Sequence, residues 1–212
     1  MAGISAKKPK PKYMNACRNE VYAVILAAGS SSRLGRPKQL LEWRERPLLQ
    51  HALLSAAPIF EQRIVVVLGA HAETIRAGID FAEARSIDNP DWQEGMASSI
   101  RAGVQALPAS AAAALFLLCD QPLVTSAHLQ NLLQAWQTAP HCIVASHYRQ
   151  ACGVPALFPA EYFAHLLSLK GDRGAKPLFK QFQDSLLKIP LPEAELDIDS
   201  QADFERLNMK CF

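Results

Sequence analysis

Three uninterrupted apolar runs constrain the fold of this chain more than any other feature of its sequence. They are residues 21–26, 64–68 and 112–119. A strand that is apolar at nearly every position must be buried on both faces, as in parallel sheets that helices cover on both sides. Longer segments of helical periodicity separate the runs, so strands and helices alternate along the chain. The pattern predicts an α/β domain in which a mostly parallel sheet lies between two helical layers.

Two helical segments carry clear amphipathic stripes. Segment 47–57 begins with Pro47 in its first turn, where proline is tolerated, and the segment after Ser126 places its leucines and Trp136 on one face. Further helices are expected over 71–78, 95–107 and 163–169, and further strands over 85–87, 143–146, 154–158 and 186–189. A hairpin turn over 148–153 interrupts the alternation. This predicts a Rossmann-like three-layer α/β/α fold with a mixed or antiparallel edge.

The loop after the first run has the features that a polyphosphate site needs. Gly29, three serines and Gly35 follow the strand, with Arg33, Arg36 and Lys38 close by. Such a loop lets backbone N–H groups converge on an anion, and the cationic side chains add charge-assisted hydrogen bonds. Its spacing is that of neither a Walker A loop nor Gly-x-Gly-x-x-Gly. A solvated Ser/Gly turn is the alternative, but the position directly after a buried strand favours phosphate binding.

A carboxylate follows the third run. Asp120 stands after the C-terminal end of that predicted strand, where open α/β sheets bind their ligands. A turn or cap residue is the alternative interpretation. Mg²⁺ needs only one or two carboxylates when substrate phosphates and water complete its coordination. Cys119 has no metal-binding partner in the sequence and is expected to be a small buried residue.

Polar residues lie at three predicted helix starts, where they could bind a ligand or simply cap the helix. Ser98 and Ser99 could present hydroxyl and N–H groups to an anion, or simply cap a helix. The loop 171–176, Gly-Asp-Arg-Gly-Ala-Lys, is a second candidate anion site or a helix end followed by a cap. The last helix starts with Ser200 as N-cap and Asp203 at its third position, close to a capping box. Acidic residues near a helix start need no catalytic role.

Composition and charge exclude several classes of function. The net charge of +2 over 212 residues argues against a protein that binds nucleic acid through charge. The apolar run 111–119 is too short to cross a bilayer, and residues 1–20 lack the apolar core of a signal peptide. Five cysteines without C-x-x-C spacing indicate reduced thiols and a cytoplasmic protein. Residues 1–20 are predicted to be a disordered basic tail, and residues 21–212 a single domain.

The loop sequence resembles a known signature. Leu-Ala-Ala-Gly-x-Ser-x-Arg-x-Gly-x-Pro-Lys-x-Leu-Leu, residues 26–41, is similar to the loop of nucleotidyltransferases that join an NTP to a phosphorylated acceptor. The likeness is greatest to the MobA-like NTP transferases, in their molybdopterin cytidylyltransferase branch. Segments 89–100, 119–124, 153–158 and 197–204 resemble later motifs of that family. The resemblance implies a nucleotide-diphospho-sugar transferase-like fold for residues 21–212.

The resemblance also implies a role for each matching residue. The nucleotide would be bound by Leu26, Ala27, Ala28, Gly29, Ser30, Ser31, Lys38, Ser98 and Ser99. The catalytic residues would be Arg33, Lys38 and Asp120, and the Mg²⁺ ligands Asp120 and Asp199, with Asp197 as the substitute for Asp199. The acceptor would be bound by Gly153, Pro155, Gly171, Asp172, Gly174 and Lys176. Val154 stands where the family has His, and Lys176 where it has Arg, which replaces a bidentate fork with a point charge.

The implied reaction is CMP transfer from CTP to the terminal phosphate of Mo-molybdopterin, with release of pyrophosphate. In the family, Ala at position 28 goes with cytidine and Gly with guanosine. The product would serve a molybdenum hydroxylase, so the resemblance implies contact with that apoenzyme. The net charge and the short apolar runs predict neither a nucleic acid nor a membrane as partner. GTP as donor, a sugar or polyol phosphate as acceptor, and a non-catalytic cofactor chaperone stay open as alternatives.

Overall fold

In the described part of the chain, seven strands form one sheet and two more form a small ribbon. A computed structural model describes residues 20–209. Its strands are β1 (Val21–Ala27), β2 (Glu42–Trp43), β3 (Arg46–Pro47), β4 (Ile64–Leu68), β5 (Arg85–Asp88), β6 (Ala113–Leu118), β7 (Ile143–Tyr148), β8 (Ala151–Pro159) and β9 (Leu186–Pro190). β2 and β3 make the ribbon. The predicted basic tail lies outside the described residues except for Glu20.

Helices follow most of the strands. They are α1 (Leu48–Phe60), α2 (Ala72–Gly78), α3 (Met96–Gln105), α4 (Ser126–Thr138), α5 (Phe163–Leu167), α6 (Lys176–Gln181) and α7 (Gln201–Met209). Short 3₁₀ turns at Lys38–Leu40 and Trp92–Glu94 come directly before β2 and α3 in the chain. Within residues 20–209, no helix combines the length and apolar character that a membrane crossing requires.

The sheet is mostly parallel, as predicted. Its strand order is β5-β4-β1-β6-β8-β7-β9, and the β5–β4, β4–β1, β1–β6 and β7–β9 pairs are all parallel. β8 runs antiparallel to both of its neighbours, β6 and β7. The predicted α/β fold with an antiparallel part toward one edge is therefore confirmed, and the reversed strand lies two strands in from that edge.

Two apolar clusters cover the two faces of the sheet. On β1 the side chains alternate, with Ala23 and Ile25 in one cluster and Val24 and Leu26 in the other, as the two-residue period of a strand requires. Helices α1, α2 and α4 pack on the first face and α3, α5 and α6 on the second. A third cluster joins the ribbon and α1 to the C-terminal part of the chain. It consists of Leu41, Trp43, Leu48, Leu196, Ile198 and Leu207.

The connections that follow β1 and β6 lead toward opposite edges of the sheet. The chain passes from β1 to β4 and β5 on one side, and then returns to place β6 on the other side of β1. The β1–β6 boundary is therefore the topological switch point, where ligands bind outside the carboxyl ends of the strands.

Two local details differ from the sequence predictions. The hairpin turn between β7 and β8 comprises only Arg149 and Gln150, which both have positive φ, so residues 151–153 belong to β8. Helix α1 continues to Phe60 through Pro58, beyond the predicted end at Ala57. Neither turn residue is Gly or Asn, so the usual sequence signal for a two-residue hairpin is missing.

Candidate active site

A cleft of about 460 Å³ opens at the β1–β6 switch point. Its walls come from the loop after β1, the end of β6, the segment before α3 and the loop before α6. The lining residues are Leu26, Ala27, Ala28, Gly29, Ser30, Lys38, Gln39, Trp92, Gln93, Glu94, Gly95, Met96, Ser99, Leu118, Cys119, Asp120 and Asp172. Nine of the residues predicted for the site are thus in one concave surface.

A buried amide that the sequence reasoning missed holds the signature loop. Gln39 is completely buried, and its Nε2 donates to the carbonyl oxygens of Ala27 at 2.7 Å and Gly29 at 3.0 Å. The hydroxyl of Ser31 accepts from the backbone N–H of Lys38 at 2.9 Å. These bonds close the loop on itself, so the backbone around Gly29 has a fixed shape before any ligand binds. The signal in the sequence is a glutamine directly before the apolar pair Leu40 and Leu41.

Lys38 joins the two predicted metal aspartates. Its ammonium donates to Asp120 Oδ2 and, at 2.8 Å, to Asp199 Oδ1, with the lysine side chain only 15% exposed. Burial alone would lower the pKa of Lys38, but the charge of Asp120 and the hydrogen bonds to both carboxylates outweigh it and raise that pKa above its ordinary value. Arg33 Nη1 lies 3.8 Å from Asp199 Oδ2 on the exposed rim. Lys38 is therefore a permanent cation at neutral pH.

The two aspartates suit a divalent cation. Asp120 Oδ1 is buried and has no hydrogen-bond partner among residues 20–209, which is the condition of an oxygen that is free to accept a further ligand. Within the same residues, no three His, Cys, Asp or Glu side chains cluster around one point. A site of two carboxylates completed by phosphate and water oxygens fits this donor set, and it is the coordination that Mg²⁺ prefers.

The hydroxyls of Ser98 and Ser99 are used inside the protein. Asn89 is buried, and its Nδ2 donates to Ser98 Oγ at 2.8 Å and Ser99 Oγ at 3.1 Å. Ser98 Oγ in turn donates to the carbonyl of Gly95 at 2.8 Å. Only Ser99 reaches the cleft lining. The pair therefore resembles the capping alternative more than an open pair of anion-binding hydroxyls, and its nucleotide contacts stay a prediction.

The segment before α3 forms a wall of the cleft. Trp92, Gln93, Glu94 and Met96 line it, whereas the sequence analysis assigned a role only to the serines that follow. Glu94 accepts a hydrogen bond at 2.9 Å from Arg101, which lies in α3, and this bond lowers the pKa of Glu94. This wall thus presents an aromatic and an amide side chain, those of Trp92 and Gln93, to the cleft.

The predicted acceptor loop closes on the same wall. The backbone N–H of Met96 donates to Asp172 Oδ1 at 3.3 Å, and that of Ala97 to the carbonyl of Gly171 at 3.0 Å. Gly95 has φ of +112°, and a Cβ there would lie 3.0 Å from Asp172 Cα, so only glycine allows this approach. The first N–H groups of α3 thus bind the loop.

Other predicted acceptor residues lie farther out. Gly174 is buried against Met96, whereas Lys176 is exposed at the start of α6 and borders a surface depression with Arg173 and Lys180. Gly153 and Pro155 lie on β8 and do not line the cleft. The structure therefore brings Asp172 to the cleft but neither Lys176 nor the β8 residues, and their acceptor roles stay predictions.

Cys119 and Asp197 complete the surroundings of Asp120. Cys119 is buried, as predicted, and burial raises the pKa of its thiol to about 12, so it is neither a thiolate nucleophile nor a thiolate ligand. Asp197 accepts from Gln121 Nε2 at 2.9 Å. Burial and the nearby charge of Asp120 raise the pKa of Asp197 to about 6. Because Asp197 lies on the Gln121 side, Asp199 is the aspartate that faces Lys38.

Several known proteins are similar to this chain in sequence or in fold. Nicotine blue oxidoreductase from Paenarthrobacter nicotinovorans is 38% identical over 114 residues, which is 53% of this chain and 55% of that protein. The chain thus matches about half the length of that relative. The crystal structure of Rv0371c from Mycobacterium tuberculosis H37Rv superposes with a TM-score of 0.78 at 29% identity, covering 90% of this chain and 98% of that one. A structure of Rv0371c in complex with manganese has a TM-score of 0.75 at 26% identity, covering 89% and 97%.

A more distant neighbour shares the fold alone. Molybdopterin-guanine dinucleotide biosynthesis protein A from Archaeoglobus fulgidus has a TM-score of 0.68 at 15% identity, covering 90% of this chain and 98% of that one.

Residues 23–186 match the family described as the MobA-like NTP transferase domain, which is more than half of the chain. The protein therefore belongs to the family of MobA-like NTP transferase domains, with a nucleotidyltransferase fold.

Proposed function

We propose that residues 21–212 act as one domain that transfers CMP from CTP to the terminal phosphate of Mo-molybdopterin, releasing pyrophosphate. The product is the molybdopterin cytosine dinucleotide, which a molybdenum hydroxylase apoenzyme receives by transient contact. One observation carries the proposal: the signature loop after β1 and Asp120 after β6 meet at the switch point, and Lys38 joins Asp120 to Asp199 there. A cation and a rigid N–H loop facing a carboxylate pair suit a metal-bound triphosphate.

The bonds of the reaction balance without a general base. An oxygen of the acceptor phosphate attacks the α-phosphorus of CTP, a new P–O–P bond forms, and the bond between the α-phosphorus and its bridging oxygen breaks as pyrophosphate leaves. The attacking phosphate is already ionised at neutral pH. This agrees with a cleft that no histidine lines among residues 20–209. Catalysis would then consist of positioning and charge stabilisation.

Each charged group of the cleft has a separate task in this mechanism. The loop around Gly29 and the ammonium of Lys38 bind the triphosphate and stabilise the charge on the departing pyrophosphate, with Arg33 at the rim. Asp120 and Asp199 would hold Mg²⁺, which when bound neutralises negative charge on the α-phosphate. The manganese complex of Rv0371c supports a divalent cation in this fold. The raised pKa of Lys38 keeps its charge available throughout the working pH range.

The choice of CTP rests on Ala28 and its neighbours. Ala28 is buried in the cleft wall beside Gly69 and Trp92. The packing there is tight, because a Cβ added to Gly69 would lie only 2.9 Å from the Cβ of Ala28. The methyl group of Ala28 takes up space beside the base-contacting wall, which suits a pyrimidine better than a purine. The family resemblance of the Leu-Ala-Ala-Gly sequence supports the same choice. The guanine named for the A. fulgidus neighbour makes GTP the alternative donor.

The test is pyrophosphate release with Mg²⁺ and molybdenum-loaded molybdopterin, with CTP, GTP, ATP and UTP offered separately. We expect release with CTP alone, and partial acceptance of GTP by the Ala28→Gly variant. Release with GTP alone would refute the cytidine assignment and keep the chemistry. CTP binding without any release would refute the acceptor, and sugar and polyol phosphates would be tested next.

An Asp120→Ala variant separates an enzyme from a carrier of the cofactor. We expect it to abolish pyrophosphate release, because Asp120 is a predicted metal ligand and a partner of Lys38. Asp184→Ala, which removes an exposed carboxylate outside the cleft lining, is the matched control and should retain full activity. If Asp120→Ala still matured a molybdenum hydroxylase as well as the wild type does, the protein would be a chaperone.

A further inference from the structure

A buried carboxamide next to Asp120 joins three separate parts of the chain. Gln121 is 4% exposed, and its Nε2 donates to Asp197 Oδ1 at 2.9 Å and to the carbonyl of Ala194 at 3.1 Å. The hydroxyl of Tyr148 lies 3.4 Å from the same nitrogen. Since a carboxamide has two N–H donors, the two short bonds use both of them, and the tyrosine contact is the weakest of the three.

Two of these bonds reach the segment that carries Asp199. We refer to residues 191–199 as the Asp199 segment. Its Ile198 N–H donates to the carbonyl of Asp120 at 3.0 Å, so side chain and backbone of the Asp120–Gln121 pair bind the same stretch. The carboxylate of Asp199 is itself about half exposed, and within the described residues it pairs only with the side chains of Lys38 and Arg33. Its position opposite Asp120 therefore depends on the residues just before it.

The third contact reaches the hairpin of β7 and β8. The hydroxyl of Tyr148 donates to the carbonyl of Val154 at 3.0 Å. A Cβ at position 153 would collide with that hydroxyl, so glycine is required at 153 for the tyrosine to lie there. Gly153 and Pro155 are the residues predicted to face the acceptor. Gln121 thus contacts, through Tyr148, the strand that carries the predicted acceptor residues.

We propose that Gln121 is a positioning residue, which fixes Asp199 opposite Asp120 and holds the β8 strand in register with both. This role rests on the proposed function, because it assigns the reacting phosphates to the space between these elements. The signature loop is held by Gln39, and the wall before α3 by Asn89, Gly171 and Asp172.

The first readout is hydrogen exchange, which needs no activity. In Gln121→Leu, we expect the backbone amides of the Asp199 segment to exchange roughly five- to tenfold faster, as loss of a small hydrogen-bond network implies. Exchange in β1 and β4 should stay as in the wild type. Gln50→Leu is the matched control, because Gln50 also bonds its amide to a backbone carbonyl, that of Asp80 at 3.0 Å, on a helix outside the cleft lining.

The second readout is kinetic. Gln121→Leu should lower kcat and raise KM for the acceptor by about tenfold or more, as misplacement of reacting groups does. The Kd for CTP measured without Mg²⁺ should change less than twofold, because the signature loop and the wall before α3 are held by other residues. Tyr148→Phe should raise only the acceptor KM. If the leucine variant folds poorly, Gln121→Glu takes its place. This variant keeps the side-chain size but puts an acceptor against Asp197, and we expect the same changes in kcat and KM.

Three outcomes decide between the interpretations. Unchanged exchange in the Asp199 segment of both folded Gln121 variants would overturn the proposal. Faster exchange throughout the sheet, with CTP affinity lost in proportion, would also overturn it, because Gln121 would then be a general stability residue. If the wild type releases no pyrophosphate from any NTP, the proposed function fails, and the exchange result still decides the role of Gln121.

Discussion

Lys38 combines two interactions that a surface lysine rarely makes. Its ammonium is mostly buried and bonds to the carboxylates of both Asp120 and Asp199. Removal of one member of a buried ion pair leaves the other charge without compensation. The free-energy cost of that is larger than the contribution of an exposed ion pair. Lys38 therefore both organises the two aspartates and, in the proposed reaction, binds the triphosphate.

Replacement of Lys38 separates charge from shape. We expect Lys38→Met to lower kcat/KM for CTP by about a hundredfold or more, the usual effect of removing one charge-stabilising donor. Lys38→Arg, which keeps the charge, should recover part of that loss. Steady-state pyrophosphate release measures both. Lys188→Met, at an exposed lysine of β9, is the control, and an equal loss in that variant would contradict a specific role for Lys38.

Sequence reasoning at this scale located charged residues better than their supports. The meeting of Lys38, Asp120 and Asp199 could be predicted because each stands in a dense local motif, whereas their roles stay predictions. Gln39 and Asn89 were missed as supports because their partners lie 8–12 residues away and become neighbours only after the loop or helix has formed. Ser98 kept two interpretations for the same reason, since nothing in its own segment shows that Asn89 bonds to its hydroxyl.

At the scale of single elements, α7 begins with the predicted capping box. Ser200 N–H and Oγ both donate to Asp203 Oδ2, at 2.9 and 2.6 Å, and the N–H of Asp203 returns a bond to Ser200 Oγ at 3.3 Å. These hydrogen bonds, chiefly that from the Ser200 side chain, lower the pKa of Asp203 below its ordinary value of 3.8. The ionised carboxylate is therefore the form that the folded state prefers.

The sign of the pH effect follows from that direction. A carboxyl group with a lowered pKa adds stability that is complete above its unfolded value and disappears as the pH falls through its folded value. We expect Asp203→Asn to lower the free energy of unfolding by about 1 kcal/mol at neutral pH, the typical contribution of a helix cap. The difference from wild type should shrink below a pH of about 4.

Urea unfolding at a series of pH values measures this difference. Glu205→Gln removes a charge from the exposed side of the same helix without touching the cap, and serves as the control. A difference between wild type and Asp203→Asn that stayed constant across the acid range would contradict the assignment of the effect to ionised Asp203.

Elements with a local signal were predicted well, and those set by distant contacts were not. The three apolar runs form β1, β4 and β6, because a strand that is apolar at nearly every position must be covered on both faces. The β2–β3 ribbon was not foreseen, since its two-residue strands carry no periodicity. Helix α1 passes Pro58 because Phe60 at its end is buried in the first core cluster, and tertiary packing there outweighs the missing hydrogen bond.

At the scale of the whole molecule, the third apolar cluster joins the ends of the site. It contains Leu41, at the end of the signature sequence, together with Leu196 and Ile198, which flank Asp197. Leu207 from α7 completes it and is fully buried. The two main clusters hold the sheet and its helices, whereas this one holds the signature sequence against the chain that supplies Asp199. Its packing should therefore affect catalysis more than its small size suggests.

Two leucine truncations of equal chemistry test this division. Leu207→Ala and Leu132→Ala, in the third and first clusters, should each lower the free energy of unfolding by about 2–5 kcal/mol through the cavity that they leave. At a temperature where both variants are fully folded, only Leu207→Ala should reduce kcat, by about tenfold, because it loosens the support of Asp199. Denaturant unfolding and pyrophosphate release on the same samples compare the two effects. If Leu132→Ala lost as much activity as Leu207→Ala, catalysis would follow stability in general, and the third cluster would have no special connection to the site.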